Sequence, residues 1–426
     1  MGIGTDTWVD DAADDGIFKV NTEVFRDPEI FALERQRIFD RSWLYVGHES
    51  EVESPGDFVC RSVGGHPVIM VRGKDESVRV LYNTCLHQGN QVCRVPSGHT
   101  SAFQCFFHGW TYDVDGKLVG LPGESSYGGR FTRQEHGLRA PRVASHRGFV
   151  FMCCDPGTES LADYLGAAAA YLDLVADQAE DMVVLPGSHR YTTHANWKMA
   201  TMNAHDGYHV ATTHATYLKY LRDSGVDPSQ RRLGKRLDLG NGHSASEFFG
   251  AWGRPVARWA AYWPEALQEQ LATKRAELTA TFGEDRARLM AEVDRNLLLF
   301  PNLVINDHSA VLIRTWEPQS VDEIVVTAWT IAPRQEAEEI RALRLRNYLT
   351  FFGPAGFATP DDIEALECVQ RGLRNQAMQW LDVSKGAATE ASAPEQDDNA
   401  DEIQLRAIWR RWRLDMGGSL LTAGSR

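Results

Sequence analysis

Two short motifs, Cys85-x-His87 and Cys105-x-x-His108, constrain this chain more than any other feature, because their four side chains have to meet. Both lie among short Val-, Ile- and Phe-rich runs cut by Gly, Pro, Asn and Asp, as in DFVCRSVGGHPVIMVRGKDESVRVLYNT and WTYDVDGKLVGLP. That texture reads as antiparallel strands joined by tight turns. Each pair therefore sits at a strand end beside a glycine-containing turn, and two loops can bring two sulfurs and two imidazole nitrogens to one point. A Cys2His2 set suits zinc, but zinc fingers pair Cys with Cys and then His with His. Here each motif supplies one of each, which fits a Rieske-type [2Fe-2S] centre with Cys85 and Cys105 on one iron and His87 and His108 on the other.

Length and charge bound the rest. At 426 residues the chain is long enough for two or three domains. Seven Cys, odd in number and unevenly spaced, point to a reducing cytoplasm and not to a disulfide framework. Cys93, Cys153 and Cys154 read as small buried residues. The net charge of -14 excludes a phosphate-binding surface, so nucleic acid is not an expected partner. No apolar run approaches the ~18 residues of a membrane span, and MGIGTDTWVDD has neither a basic nor an apolar targeting region.

Residues 24–43 carry Ile30, Leu33, Ile38 and Trp43 near helical spacing after Pro28, which predicts one or two opening helices. Three segments follow: a helical stretch 1–43, an antiparallel β domain 44–160, and an α+β domain 161–426 whose helices cover an antiparallel sheet. The β domain either precedes or is inserted into the α+β domain. Residues 160–180 predict one amphipathic helix, SKGAATEASAPEQDDNADE at 384–402 a surface excursion, and EIQLRAIWRRWRLDM a closing helix.

A second constellation lies in NWKMATMNAHDGYHVATTH, residues 196–214. A mononuclear Fe(II) site needs two His and one carboxylate on one side of the metal, with open positions for O2 and substrate. His209 and His214 are the candidate nitrogens, but on a straight helix they fall about 140° apart. The helix must unwind between them, and the β-branched Thr212 and Thr213 permit that. Asp206, three residues before His209, can accept from the ring nitrogen that does not bind metal. The carboxylate comes from FFGPAGFATPDDIEALECVQRGL, where Thr359 reads as an N-cap, Pro360 as the first helical residue and Asp362 as the third. Asp362 either completes a capping box or ligates. The spacing Asp362, Leu366, Val369, Leu373 carries an inward apolar stripe to Asp362 and turns Asp361 elsewhere, which favours ligation. The other histidines, among them His66, His99, His136, His189, His243 and His308, show no paired spacing and read as surface or hydrogen-bonded residues. The segment AWGRPVARWAAYWPEAL reads as core before pocket wall.

With both motifs in hand, the chain resembles the α subunits of Rieske non-haem iron ring-hydroxylating oxygenases from about residue 25 onward. Asn196, Trp197, Lys198, Asp206, His209 and His214 match that family's Asn-Trp-Lys and Asp-x-x-His-x4-His patterns, and Asp362 matches the second acid after its FGPAGF-type stretch. Gln88 stands where the family often has Arg, and Met202 where many members have Glu. The resemblance implies a Rieske cluster, a mononuclear iron held by His209, His214 and Asp362, and electron transfer between subunits through His108 and Asp206 in a ring of three. Asn203, close in sequence to the proposed ligands, is one expected substrate neighbour, and the resemblance implies Phe352, a pocket-wall residue, as the other. It also implies a separate reductase, with or without a ferredoxin, passing on electrons from NAD(P)H, since the chain has no Gly-rich dinucleotide fingerprint. The motifs look most like the benzoate, anthranilate and cumate types, which implies dihydroxylation of a monocyclic aromatic carboxylate to a cis-dihydrodiol and a small β subunit (α3β3), or otherwise an α3 trimer. The alternative outcome is monohydroxylation or demethylation of an aromatic acid.

Overall fold

The computed structural model describes residues 8–230, 232–250, 252–390 and 401–417. Two compact units emerge: Asp40–Leu161, and the chain before and after it, up to Phe39 and from Ala162 onward. The β unit is thus an insertion. The boundary falls at 39/40 because Phe39 packs edge-on against Trp197 at 5.1 Å, whereas the Trp43 indole donates to the Glu159 carbonyl within the inserted unit, 3.0 Å.

The inserted unit holds three antiparallel sheets. One has the strands Val78–Tyr82, His66–Arg72, Asp57–Val63 and Ser97–His99 side by side. A second joins Leu118–Gly120, Thr111–Asp113 and Ala102–Gln104, and the third Arg142–His146, Phe149–Cys153 and Leu44–His48. Phe58, Ile69, Leu81, Phe103, Trp110 and Tyr112 form its main core, and Cys93 lies in that core.

In the other unit an eight-stranded antiparallel sheet runs from Met182–Val184 through Glu323–Pro333, Val311–Ser320, Leu303–Asp307, Asp294–Leu299 and His243–Phe249 to Arg232–Gly240, with His189–Thr193 also paired to Glu323–Pro333. Ser246 pairs with Asn296 and Asn296 with Asn306, so one face carries a polar row across three strands. The helix Trp197–Asp206 lies over this row, since the Ser246 hydroxyl donates to the His205 carbonyl, 2.6 Å, and Asn306 to the Ala204 carbonyl, 3.4 Å. No helix among the described residues is long and apolar enough to cross a membrane.

The opening helix Pro28–Glu34 starts at Asp27, whose carboxylate accepts from the backbone N–H groups of Glu29 and Ile30. It ends on a fully buried Glu34, which accepts from Trp197 Nε1 (2.7 Å), Lys198 Nζ (2.5 Å) and Trp412 Nε1 (2.7 Å). A buried carboxylate persists only when paired and hydrogen-bonded. The Trp-Lys of residues 197–198 therefore ties the opening segment and the closing helix Ile403–Gly417 to the helix that bears the candidate site.

Four expectations need correction. The opening stretch 1–43 is not all helical: Val9–Ala12 and Ile17–Asn21 pair as antiparallel strands, with Trp380–Asp382 beside the second, because the chain reverses at Gly16 in the left-handed region. Residues 160–180 form two helices, Leu161–Leu165 and Ala168–Ala176, because Gly166 at φ 48° breaks the turn. Of residues 384–402, 391–400 lie outside the described residues, and the flanks are not a surface excursion. Ala387, Asp401 and Glu402 are buried, because the fully buried Arg406 guanidinium gathers Asp401, Glu390 and the carbonyls of Val383 and Lys385. Cys154 is only partly buried and accepts from the Tyr82 hydroxyl at 3.2 Å.

Candidate metal centres and active site

The two loops of the inserted unit are built alike. The N–H of Cys85 bonds to the Asn90 carbonyl and that of Cys105 to the Trp110 carbonyl, while Gly89 and Gly109 donate back to the cysteine carbonyls, 2.9 Å each. Both glycines have left-handed φ, 76° and 74°, which a side chain would oppose. The result puts the Nδ1 atoms of His87 and His108 3.1 Å apart at the exposed edge, with both thiols buried behind them. The Tyr112 hydroxyl lies 3.3 Å from Cys85 Sγ, and the Asn90 amide donates to Cys105 Sγ, 3.4 Å. Burial raises the Cys85 thiol pKa. For Cys105 burial is outweighed by the N–H groups of Phe107 and His108 and the Asn90 amide, and its thiol is lowered. Two sulfurs supplied with hydrogen-bond donors and two outward imidazoles fit a Rieske cluster.

In the other unit the helix Trp197–Asp206 kinks at His205 (φ -145°, ψ 17°), and Gly207 follows in the left-handed region. A short helix, Val210–Thr213, then stops at His214 (φ -100°, ψ 35°). The break lies at His214 itself, after Thr212 and Thr213, and it removes the 140° offset. His209 Nε2 and His214 Nε2 lie 3.3 Å apart, and Asp362 Oδ1 is 3.5 and 3.3 Å from them. Each imidazole has a carboxylate at its other nitrogen: Asp206 Oδ1 hydrogen-bonds His209 Nδ1, and Asp361 Oδ2 lies 3.5 Å from His214 Nδ1. Two oriented imidazoles and one carboxylate converging on one side suit a non-haem Fe(II) donor set.

The structure corrects the helix that carries the acid. It runs Thr359–Gly372 with Ala358 preceding it, and Thr359 is no N-cap, since its hydroxyl donates to the Phe352 carbonyl, 2.8 Å. Asp362 therefore caps nothing. Its inward companions are Leu366 and the buried Gln370, while Val369 is 40% exposed, because i+4 and i+8 track the face better than i+7 here. Nor does Asp361 point away from the site. Burial would raise the Asp362 pKa, but His214, His209 and Arg314 hold it below the ordinary carboxylate range.

Beside this triad opens a cavity lined by Phe351, Phe352, Phe248, Trp252 and Tyr217 together with Asn296 and Asn306. Phe352 lines it. Asn203 does too, and its amide donates to Asp362 Oδ1 at 3.2 Å, so it also orients the acid. His308, not singled out by spacing, joins the lining with its ring 5.0 Å from Phe352. Trp252 is the one residue of the segment AWGRPVARWAAYWPEAL in this wall.

Among the described residues, Arg314 is the one Lys or Arg of the lining. It was legible as a charge inside the apolar strand run VLIRTW. Its guanidinium lies 5.8 Å from the Phe352 ring, while its Nε, like the Trp252 Nε1, is buried without an acceptor.

Profiles of two protein families match the chain: "Ring hydroxylating alpha subunit (catalytic domain)" over residues 180–399 and "Rieske [2Fe-2S] domain" over 42–140. The 2-halobenzoate 1,2-dioxygenase large subunit of Burkholderia cepacia is 34% identical, across 95% of this chain and 87% of that protein. The toluate 1,2-dioxygenase subunit alpha of Pseudomonas putida is 35% identical, across 94% and 88%. Naphthalene 1,2-dioxygenase from Rhodococcus sp., solved with indole bound, superposes with a TM-score of 0.81 at 28% identity, covering 94% of each chain.

Proposed function

This chain belongs to the α subunits of Rieske-type aromatic-ring-hydroxylating oxygenases, and from that membership we propose that it dihydroxylates a monocyclic aromatic carboxylate to a cis-dihydrodiol. When bound, the [2Fe-2S] cluster supplies single electrons and the mononuclear iron is where O2 is activated. Cys85, Cys105, His87 and His108 would hold the first, and His209, His214 and Asp362 the second.

The observation that carries the carboxylate reading is Arg314. Arg314 is half-buried beside rings, with Asp362 the nearest acid, and its buried Nε–H lacks an acceptor, a position that the carboxylate of a ligand would complete. A benzoate-like molecule offers both a ring for Phe351, Phe352 and Trp252 and a carboxylate for Arg314. The aromatic walls exclude water from the acid and the two imidazoles, while Asn203, Asp206 and Asp361 keep those groups in orientation. His108 lies on the exposed edge with Phe106 and Phe107, 61% and 55% exposed, beside it, which supports reading that edge as a contact for another protein. In the reading adopted here that partner is Asp206 of the next protomer in a ring of three, with a reductase, or a ferredoxin between, docking elsewhere as electron donor. A small β subunit completes the assembly.

The test is turnover of benzoates against neutral arenes of the same size under 18O2 with a reconstituted reductase. Carboxylates are expected to yield a ring product holding two labelled oxygens. Turnover confined to neutral arenes, or a single labelled oxygen, would overturn the reading.

A further inference from the structure

Outside both centres, the inserted unit gathers a third donor set. Asp40, the first residue of the unit, His66, at the start of a strand in the four-stranded sheet, and Cys154, just past the end of Phe149–Cys153, bring a carboxylate oxygen, a ring nitrogen and a sulfur within 4.8 Å of one another. His66 Nε2 is 2.8 Å from Asp40 Oδ1, and the Tyr82 hydroxyl donates to Cys154 Sγ at 3.2 Å while its ring lies 5.7 Å from that of His66. We propose that Asp40, His66 and Cys154 form a site for a divalent zinc-type cation on the Rieske unit, with solvent as the fourth ligand.

The chemistry of the set is specific. Carboxylate, imidazole and thiolate are the three side-chain donors zinc takes, and a site with three protein ligands keeps one position open. At zinc's bond lengths of about 2.0–2.3 Å, tetrahedral ligand atoms stand roughly 3.3–3.6 Å apart, so closing from the present spacing needs only rotamer shifts. The side chains of His66 and Asp40 are 34% and 40% exposed, so an ion can reach them. Binding exchanges protons for metal: the cation replaces the hydrogen held between His66 and Asp40 and displaces the Cys154 thiol proton to solvent. Tyr82 then donates to the bound thiolate, the outer contact that such ligands commonly have. Because His66 starts a strand of one sheet and Cys154 directly follows a strand of another, the ion would tie both to the residue where the chain enters the unit.

The experiment uses the whole protein with its cluster and iron loaded. Excess Zn2+ is added, unbound metal is removed by gel filtration, and zinc, iron and sulfide are counted before zinc-edge X-ray absorption. The expected result is one zinc per chain with one sulfur neighbour at about 2.3 Å and unchanged iron and sulfide. Cys154→Ser should remove the sulfur neighbour, and His66→Ala or the milder Asp40→Asn should weaken zinc retention at least tenfold. The mononuclear centre contains no sulfur, so zinc there gives nitrogen and oxygen neighbours alone. That outcome, no retained zinc, or a sulfur neighbour that survives Cys154→Ser, would overturn the proposal.

Discussion

Asp361 Oδ2 and His214 Nδ1 lie 3.5 Å apart, on the side of the imidazole opposite Asp362. Together with Asp206 on His209, this gives each candidate iron-binding histidine its own carboxylate, and it fixes which nitrogen is free to ligate. Losing such an outer partner costs about 10–100-fold in metal affinity. Asp361→Ala is therefore expected to lower iron retention and turnover by that order while cluster absorption stays intact, as iron titration and visible spectra of one preparation will show.

Arg314→Gln should raise KM for an aromatic carboxylate about 10- to 100-fold, the loss of one charged hydrogen bond. Neutral arenes should lose nothing or gain. Steady-state kinetics on a matched benzoate and arene pair measures the difference.

Asp206→Asn keeps an oxygen that can accept from His209 Nδ1 but removes the charge. Iron and cluster content should stay near wild type while turnover falls about 100-fold, the upper end for an outer-shell change. Metal analysis beside oxygen-uptake rates checks both halves.

Glu34→Ala strips the partner from a fully buried Lys198. Burial lowers the Lys198 pKa despite the opposing pull of Glu34. Breaking one side of such a pair costs about 3–5 kcal/mol, to be read from the denaturant midpoint of the catalytic unit.

His243 is fully buried. Its Nε2 donates to the Tyr164 carbonyl at 2.8 Å and its Nδ1 accepts from Phe300 N–H at 3.0 Å, so a second ring proton would face a donor. Burial lowers its pKa to about 4, and His205 behaves alike. A folded pKa below the unfolded one contributes stability that is full above the ordinary value of 6.5 and is lost as pH falls toward 4. Each site should add a slope of about 1.4 kcal/mol per pH unit in that window. His243→Gln should remove roughly half of the combined slope in unfolding measured from pH ~7.5 to ~4.5.

The ligand sets were legible because metal chemistry demands particular donors at short spacings. Cys85, His87, Cys105 and His108 lie on two matching turns, and the order His209, His214, then a distant acid survives folding. What spacing could not carry was direction. The stripe through Val369 and the cap at Thr359 failed because spacing fixes neither the first residue of a helix nor which neighbours cover its faces: Gln370 and not Val369 is buried, and Asp361 meets His214. Arg314 enters the cavity from a strand, where only the pairing of neighbours decides which face meets the site, and His308 from the turn just before that strand.

The meeting of residues 197, 198 and 412 on Glu34 also sets an order of events during synthesis. The Rieske unit is one continuous stretch and can close as soon as the ribosome has passed its final strand. The catalytic unit cannot, because a fully buried carboxylate, Glu34, waits for the tryptophan at position 412, and until that tryptophan emerges the carboxylate lacks one of its three donors.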